Sequence, residues 1–181
     1  MKIVPLGNVT FQRNVSSEFP NFIKSEKLFS KIDIYEKGTI EDSKDSLHAD
    51  FANKFIGGAC ISYGCVQEEI LFAENPECIC SRLFTYILLD NESMIIKGAE
   101  KYSNHLNYSH NLDFGGNFDD ENVDENGFNK NQIVVMDALI FSGIEDYQWD
   151  KNKIDRELNK GYVSFYKNEL KNISSILIEF Y

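Results

Sequence analysis

The sequence predicts an α/β domain with helices layered on a β-sheet, and three observations carry this. Strand-like segments alternate with helix-like ones along the chain. The strongest apolar run, Ile133-Val134-Val135-Met136, is nearly continuous, as a strand buried on both faces requires. No internal repeat or linker divides the 181 residues, and a hydrophobic content of 43% supplies one sizeable core.

The elements follow in order. Residues 1–27 are poorly patterned and read as an irregular lead-in. Lys31-Ile32-Asp33-Ile34-Tyr35 alternates polar with apolar and predicts a strand. Gly38 and the polar stretch Glu41–Ser46 predict a turn and loop, and His48–Phe51 a second short strand. From Cys65 to Phe72 the chain reads as a turn entering a helix. Pro76 opens the next helix, Glu77–Leu89, with Cys80, Phe84 and Leu88 on one face. Met94-Ile95-Ile96 centres a strand over Ser93–Lys97. Residues 111–131, rich in Asp, Asn and Gly, predict a mobile surface loop. Gln132–Phe141 is the strongest strand, Asp150–Tyr166 a helix that contains Gly161, and Ser174–Tyr181 a last strand.

Charge narrows the function. The net charge is −11 and the pI about 4.7, so the surface has no general attraction for nucleic acid or anionic membranes. A polyanionic substrate must be held by a local site. No run approaches the ~20 apolar residues of a membrane span, and Met1–Asn8 is too short in apolar residues for a signal peptide. The expected compartment is the nucleus or cytosol, with Cys60, Cys65, Cys78 and Cys80 as free thiols.

The chemistry-bearing residues cluster between positions 50 and 69. Gly57-Gly58 lets the backbone approach a ligand and aim amides at an anion, or it is only a tight turn. Glu68 and Glu69 are adjacent and cannot share a helix face. If they are functional, they do different jobs; otherwise they are a solvated first helical turn favoured by the helix dipole. Asp50 is a third carboxylate or an ordinary strand-end cap. Asn122-Val123-Asp124-Glu125-Asn126-Gly127 opens like a calcium loop, but its twelfth position is Ile133, where a bidentate Glu is needed. The cysteine and histidine spacings match no metal pattern.

These residues also carry a family resemblance. Ala49-Asp50-Phe51-Ala52-Asn53-Lys54-Phe55-Ile56-Gly57-Gly58-Ala59, followed by Gly64-Cys65-Val66-Gln67-Glu68-Glu69-Ile70, resembles the catalytic signature of poly(ADP-ribose) glycohydrolases. Tyr35–Asp42, Asn75-Pro76-Glu77, Ser81–Thr85, Gly98–Ser103, Met136–Leu139 and Arg156–Lys160 resemble further family segments in the same order, so the similarity covers most of residues 28–165. The resemblance implies a macrodomain: a mixed β-sheet with helices on both sides, incomplete here. Residues 166–181 form a diverged tail.

The implied activity is hydrolysis of ribose–ribose bonds in poly(ADP-ribose), without metal or cofactor. By the same resemblance Glu69 is the general acid, Glu68 holds ribose hydroxyls, and Asp50 completes the catalytic set. Asn53, Gly57, Gly58 and Gln67 line the substrate, Tyr108 closes over its adenosine part, and a cleft lies beside the two glycines. The implied partners are poly(ADP-ribose) or ADP-ribose and ADP-ribosylated proteins, with no nucleic acid and no membrane. Two departures stand out. The family's glycine triplet reads Gly57-Gly58-Ala59, which is tolerable unless position 59 needs a positive φ. Nothing in 161–181 matches the family's second glycine-rich loop, which cradles the diphosphate. An ADP-ribose-binding module without catalysis, and a half-domain completed by another chain, are therefore the competing expectations.

Overall fold

The computed structural model describes residues 8–28, 31–119, 121–125, 128–141 and 149–166, and the backbone of 176–177. Its strands are β1 (Thr10–Val15), β2 (Leu47–Ala52), β3 (Glu92–Lys97), β4 (Ser103–Leu106), β5 (Asp113–Asn117), β6 (Gln132–Asp137) and β7 (Ile176–Leu177). The α-helices are α1 (Gln67–Glu74) and α2 (Lys151–Phe165). Five strands form one sheet in the order β1-β3-β6-β2-β7. The β1–β3 and β3–β6 pairs are antiparallel, whereas β6–β2 and β2–β7 are parallel. The sheet is therefore mixed.

Side-chain alternation explains the layers. On one face Met94, Ile96, Ile133 and Val135 pack with Ile56, Leu71, Phe72, Cys78 and Leu88. On the other, Leu47, Ile95 and Val134 pack with Met136 and Phe165 of α2. Both faces of β3 and β6 are covered, which is why their sequences run apolar without a break. The expected α/β/α macrodomain-like arrangement is what the chain adopts.

Helix α1 is buried on nearly every side, including Gln67, Glu68, Glu69 and Glu74. Buried polar groups must be paired, and these are. At its C-terminal end, Glu74 meets Lys101 Nζ at 3.0 Å and His105 Nδ1 at 2.7 Å. Opposite, α2 starts at Asp150, whose carboxylate accepts the Asn152 amide at 2.9 Å. Its Lys160 is fully buried, and its ammonium donates to the carbonyls of Leu89 (2.6 Å) and Glu92 (2.7 Å) and pairs with Asp137 (2.7 Å). One cation thus ties α2 to the entrance of β3 and the end of β6.

Several local expectations are corrected. The lead-in is not irregular throughout, because Thr10–Val15 is an edge strand paired along its length with β3. Its own sequence has no clean alternation, and the partner strand supplies the order. Lys31–Tyr35 belongs to no strand, with Ile32, Ile34 and Tyr35 exposed; alternation makes a strand only where a sheet edge receives it. The helix expected over Glu77–Leu89 is a 3-10 helix, Pro76–Leu83. Its period of three buries Cys78 and Ser81 and leaves Cys80 exposed. The loop expected over 111–131 contains β5, which pairs with the unforeseen β4. Strand β6 stops at Asp137 rather than Phe141. Of the expected final strand, only Ile176–Leu177 lies within the described residues, as does all but Asn126-Gly127 of the rejected calcium-like loop.

Candidate active site

The site is built where β2 ends and α1 begins. Beyond the two-residue pairing with β7, the free edge of β2 is capped by side chains of α1. Gln67 donates its amide nitrogen to the Ala49 carbonyl (3.1 Å) and accepts the Phe51 amide at its oxygen (3.0 Å). Glu68 accepts the next amide on that edge, from Asn53, at 2.8 Å. Residues two apart present their backbone groups to the same edge, so the first two helical side chains replace a missing strand. Gln67, expected against the substrate, has its amide engaged here by the strand instead.

The second oxygen of Glu68 accepts the Gly57 amide at 2.5 Å. Gly57 and Gly58 both have positive φ, +82° and +45°, a region open to glycine. The Gly58 amide closes a turn onto the Phe55 carbonyl (2.9 Å). The anion served by the first glycine amide is therefore the protein's own carboxylate. Ala59 has no positive φ, so its methyl is unstrained, and its amide donates to Glu69 Oε1 at 3.0 Å. Glu69 Oε2 accepts the Val66 amide at 3.1 Å, turning back over the N-terminus of its own helix. Asn53 uses its side-chain oxygen to hold the Phe55 amide (3.0 Å).

Asp50 lies beneath this pair, fully buried, and neither of its carboxyl oxygens has a hydrogen-bond partner among the described residues. Burial, then the charges of Glu68 and Glu69, push its carboxyl well above the usual range. Burial also raises Glu68 to about 7; the Asn53 and Gly57 amides and Arg82 pull against this, and Glu69 adds to it. Three carboxyls thus share one small region, and two of them, Asp50 and Glu68, are raised above their ordinary range. This juxtaposition separates the functional reading of Glu68-Glu69 from a solvated helical turn, because neither residue is solvated.

Tyr108 is half-buried at the start of a 3-10 turn, Ser109–Asn111. The next residues meet the entry to α1: Cys65 Sγ lies 3.4 Å from His110 Nδ1 and 3.9 Å from Ser109 Oγ. The structure thus brings the Tyr108 segment beside the carboxylate loop. Gly57, Gly58 and the three carboxyls line neither of two cavities formed among the described residues. One, of about 320 Å³, is lined by His48, Asn75, Lys101 and Phe118 among others, and another, of about 260 Å³, by Asp90 and Arg156 on the α2 side. His48 is two residues from Asp50, about 7 Å along β2. No group of His, Cys, Asp and Glu suited to a metal ion occurs among the described residues.

Two contributors escaped the sequence reading. Gly64 packs against the side chain of Glu69. Arg82 donates to the Gly58 carbonyl at 3.1 Å from the 3-10 helix. A signal for it existed: Arg82 is the sole Lys or Arg between Lys54 and Lys97.

The model of the family described as poly(ADP-ribose) glycohydrolase, Macro domain fold, matches residues 19–179. Poly(ADP-ribose) glycohydrolase 1 of Arabidopsis thaliana is 36% identical over 166 residues, covering 90% of this chain and 30% of the relative. Probable poly(ADP-ribose) glycohydrolase 2 of the same plant is 31% identical over 181 residues, covering 93% and 34%. Poly(ADP-ribose) glycohydrolase 1 of Caenorhabditis elegans is 30% identical over 176 residues, covering 89% and 22%. The chain spans about a third of the length of the two plant relatives. With the family match running across most of its residues, and a mixed sheet whose β2–α1 junction gathers three carboxyls, the chain belongs to the poly(ADP-ribose) glycohydrolase family.

Proposed function

We propose that this chain hydrolyses the ribose–ribose O-glycosidic bonds of poly(ADP-ribose) and releases ADP-ribose, from free polymer or from ADP-ribosylated proteins. The observation that carries this is the buried carboxyl trio Asp50, Glu68 and Glu69 at the start of α1. Glycoside hydrolysis needs a carboxyl that delivers a proton to a leaving oxygen and then serves as base. Glu69 is the candidate for that role, because it is 8% exposed against 2% for Glu68 and none for Asp50. It protonates the leaving ribose oxygen as the glycosidic C–O bond breaks. Water then attacks the oxocarbenium-like carbon and gives its proton back to the same carboxylate. Burial raises both Asp50 and Glu68, the latter to about 7, which favours proton-bearing carboxyls beside it.

A second reading is an ADP-ribose-binding module without catalysis. It is favoured by the two backbone amides that hold both oxygens of Glu69, and by the absence of Glu68 and Glu69 from the lining of the larger of the two cavities described. A polymer-release assay separates the two by comparing the unaltered chain with Glu69→Gln. Release by the former and little by the latter supports hydrolysis. Binding of ADP-ribose with no release at high protein concentration supports the module.

A further inference from the structure

The loop that holds Glu68 has an outer face as well as an inner one. Between its two donor amides, from Asn53 and Gly57, lie Lys54, Phe55 and Ile56. Ile56 is buried in the core, while Lys54 and Phe55 face outward, Phe55 being 40% exposed. The Leu88 amide donates to the Lys54 carbonyl at 2.8 Å, which draws the segment before Leu88 alongside. Tyr86 there is 85% exposed, and its ring meets that of Phe55 edge-on, at 5.8 Å between centroids and 79° between planes. Lys54 Nζ stands 5.5 Å from the Phe55 centroid.

Arg82 completes the patch from the other side. Only its Nη1 is used, toward the Gly58 carbonyl and, at 3.8 Å, Cys60 Sγ. Its Nε and Nη2 have no partner among the described residues, and its guanidinium is close enough to Glu68 to act on its charge. Lys54 likewise has no ion-pair partner among the described residues. In a chain of net charge −11, two cations without an ion-pair partner among the described residues adjoin the loop that holds Glu68. Beside Lys54 are two exposed aromatic rings. A guanidinium fork suits a phosphate, an ammonium adds a point charge, and an exposed ring offers a stacking face to a base.

We propose that Lys54, Phe55, Arg82 and Tyr86 form a subsite for a nucleoside diphosphate unit of the substrate polymer, next to the ribose bond being cleaved. This rests on the hydrolytic reading above and adds a preference for chain length. A substrate spanning both the carboxyls and the patch places one further diphosphate against Arg82 and Lys54 and one adenine on Tyr86. A single ADP-ribose reaches only one of the two. Single-stranded nucleic acid carries similar chemistry, but its uniform backbone charge meets a chain of net charge −11.

The test compares the unaltered chain with a Lys54→Ala/Tyr86→Ala double variant, whose altered side chains are exposed. KM is measured on two-unit and eight-unit poly(ADP-ribose). Binding of end-labelled polymer is followed by fluorescence anisotropy on the Glu69→Gln background. The expected result is a KM for the long polymer raised about tenfold, with kcat and the affinity for monomeric ADP-ribose little changed. Arg82→Lys should restore less than the native affinity, since the fork is lost while the charge stays. If the unaltered chain cleaves polymer but the double variant keeps the native KM for the eight-unit polymer, the subsite is refuted and the hydrolytic reading stands. If a single-stranded RNA of matching length binds as tightly as polymer, the patch reads charge alone and the proposal is overturned. If polymer is neither bound nor cleaved, both readings fall.

Discussion

Gly64 lies so close to Glu69 that a methyl group built on its Cα would sit 2.6 Å from both Cγ and Cδ of the glutamate side chain. The glycine has no positive φ, so its smallness rather than its backbone freedom is what the site uses. Opposite it, a methyl on Gly58 would overlap Glu69 Oε1 and fall 2.8 Å from Glu68 Oε2. The carboxylate pair is thus packed between two glycines.

Gly64→Ala should therefore displace Glu69 without straining its own backbone. We expect a loss of about 1–3 kcal/mol in stability from overpacking, and a fall in polymer hydrolysis well beyond what unfolding explains. Gly58→Ala adds a φ of +45° to the clash and should be worse on both counts. Urea unfolding and single-turnover release measured on the same samples check this. A Gly64→Ala chain of native activity would mean that Glu69 need not hold its observed position.

The pH dependence follows from Glu68 and Asp50. Both carboxyls are raised above their ordinary values, Glu68 to about 7. The folded state therefore holds protons that the unfolded chain gives up near pH 4.5. The stability due to these protons is fully present below that pH and is lost as pH rises through about 7. Unfolding free energy measured from pH 5 to 8 should decline, and Glu68→Gln should flatten the decline. A steeper slope in the variant would contradict the assignment.

Asp50→Asn supplies an isosteric neutral group at a position where the carboxyl is already pushed toward neutrality. Stability at neutral pH should be unchanged or slightly raised, since no hydrogen bond to the carboxyl is lost among the described residues. The expected deficit is in turnover and in the pH profile of kcat. A variant that unfolds on purification would show that the carboxylate is charged and structurally needed.

Gln67→Ala leaves the Ala49 carbonyl and the Phe51 amide without their partner on the free edge of β2. Two backbone groups that lose their partners cost about 1–3 kcal/mol each. Hydrogen exchange at Phe51 should accelerate ahead of global unfolding, which separates an edge cap from a substrate contact.

Lys160→Met tests the link between α2 and the sheet. Burial lowers the lysine pKa, and Asp137 partly restores it. Removing the cation leaves Asp137 with Arg156 as its remaining ion-pair partner, at 2.5 Å. The expected cost is about 3 kcal/mol, read by thermal unfolding, with α2 detaching first.

The parts legible in the sequence were those governed by local pattern. Ile133–Met136 was expected as a strand covered on both sides and Met94-Ile95-Ile96 as a strand, and both are strands with both faces covered. The Gln67-Glu68-Glu69 start of α1 and the bend at Gly57-Gly58 also stood out. Thr10–Val15 did not, because its strand character comes from hydrogen bonds to β3, some eighty residues away. Lys31–Tyr35 erred the other way, showing alternation with no edge to join.

At the candidate site the division is sharper. Adjacency along the chain determined which residue types could meet: two carboxylates at a helix start, a third on the preceding strand, and glycines between. Folding alone decided what each does. The amides of Asn53 and Gly57 reach Glu68 across fifteen and eleven residues, and those of Ala59 and Val66 reach Glu69 across ten and three. Whether a carboxyl keeps its proton depends on burial and on neighbours brought close in space, and linear order specifies neither. The same holds for Arg82 and Tyr86, which join Lys54 and Phe55 only because the chain returns along the outside of that loop.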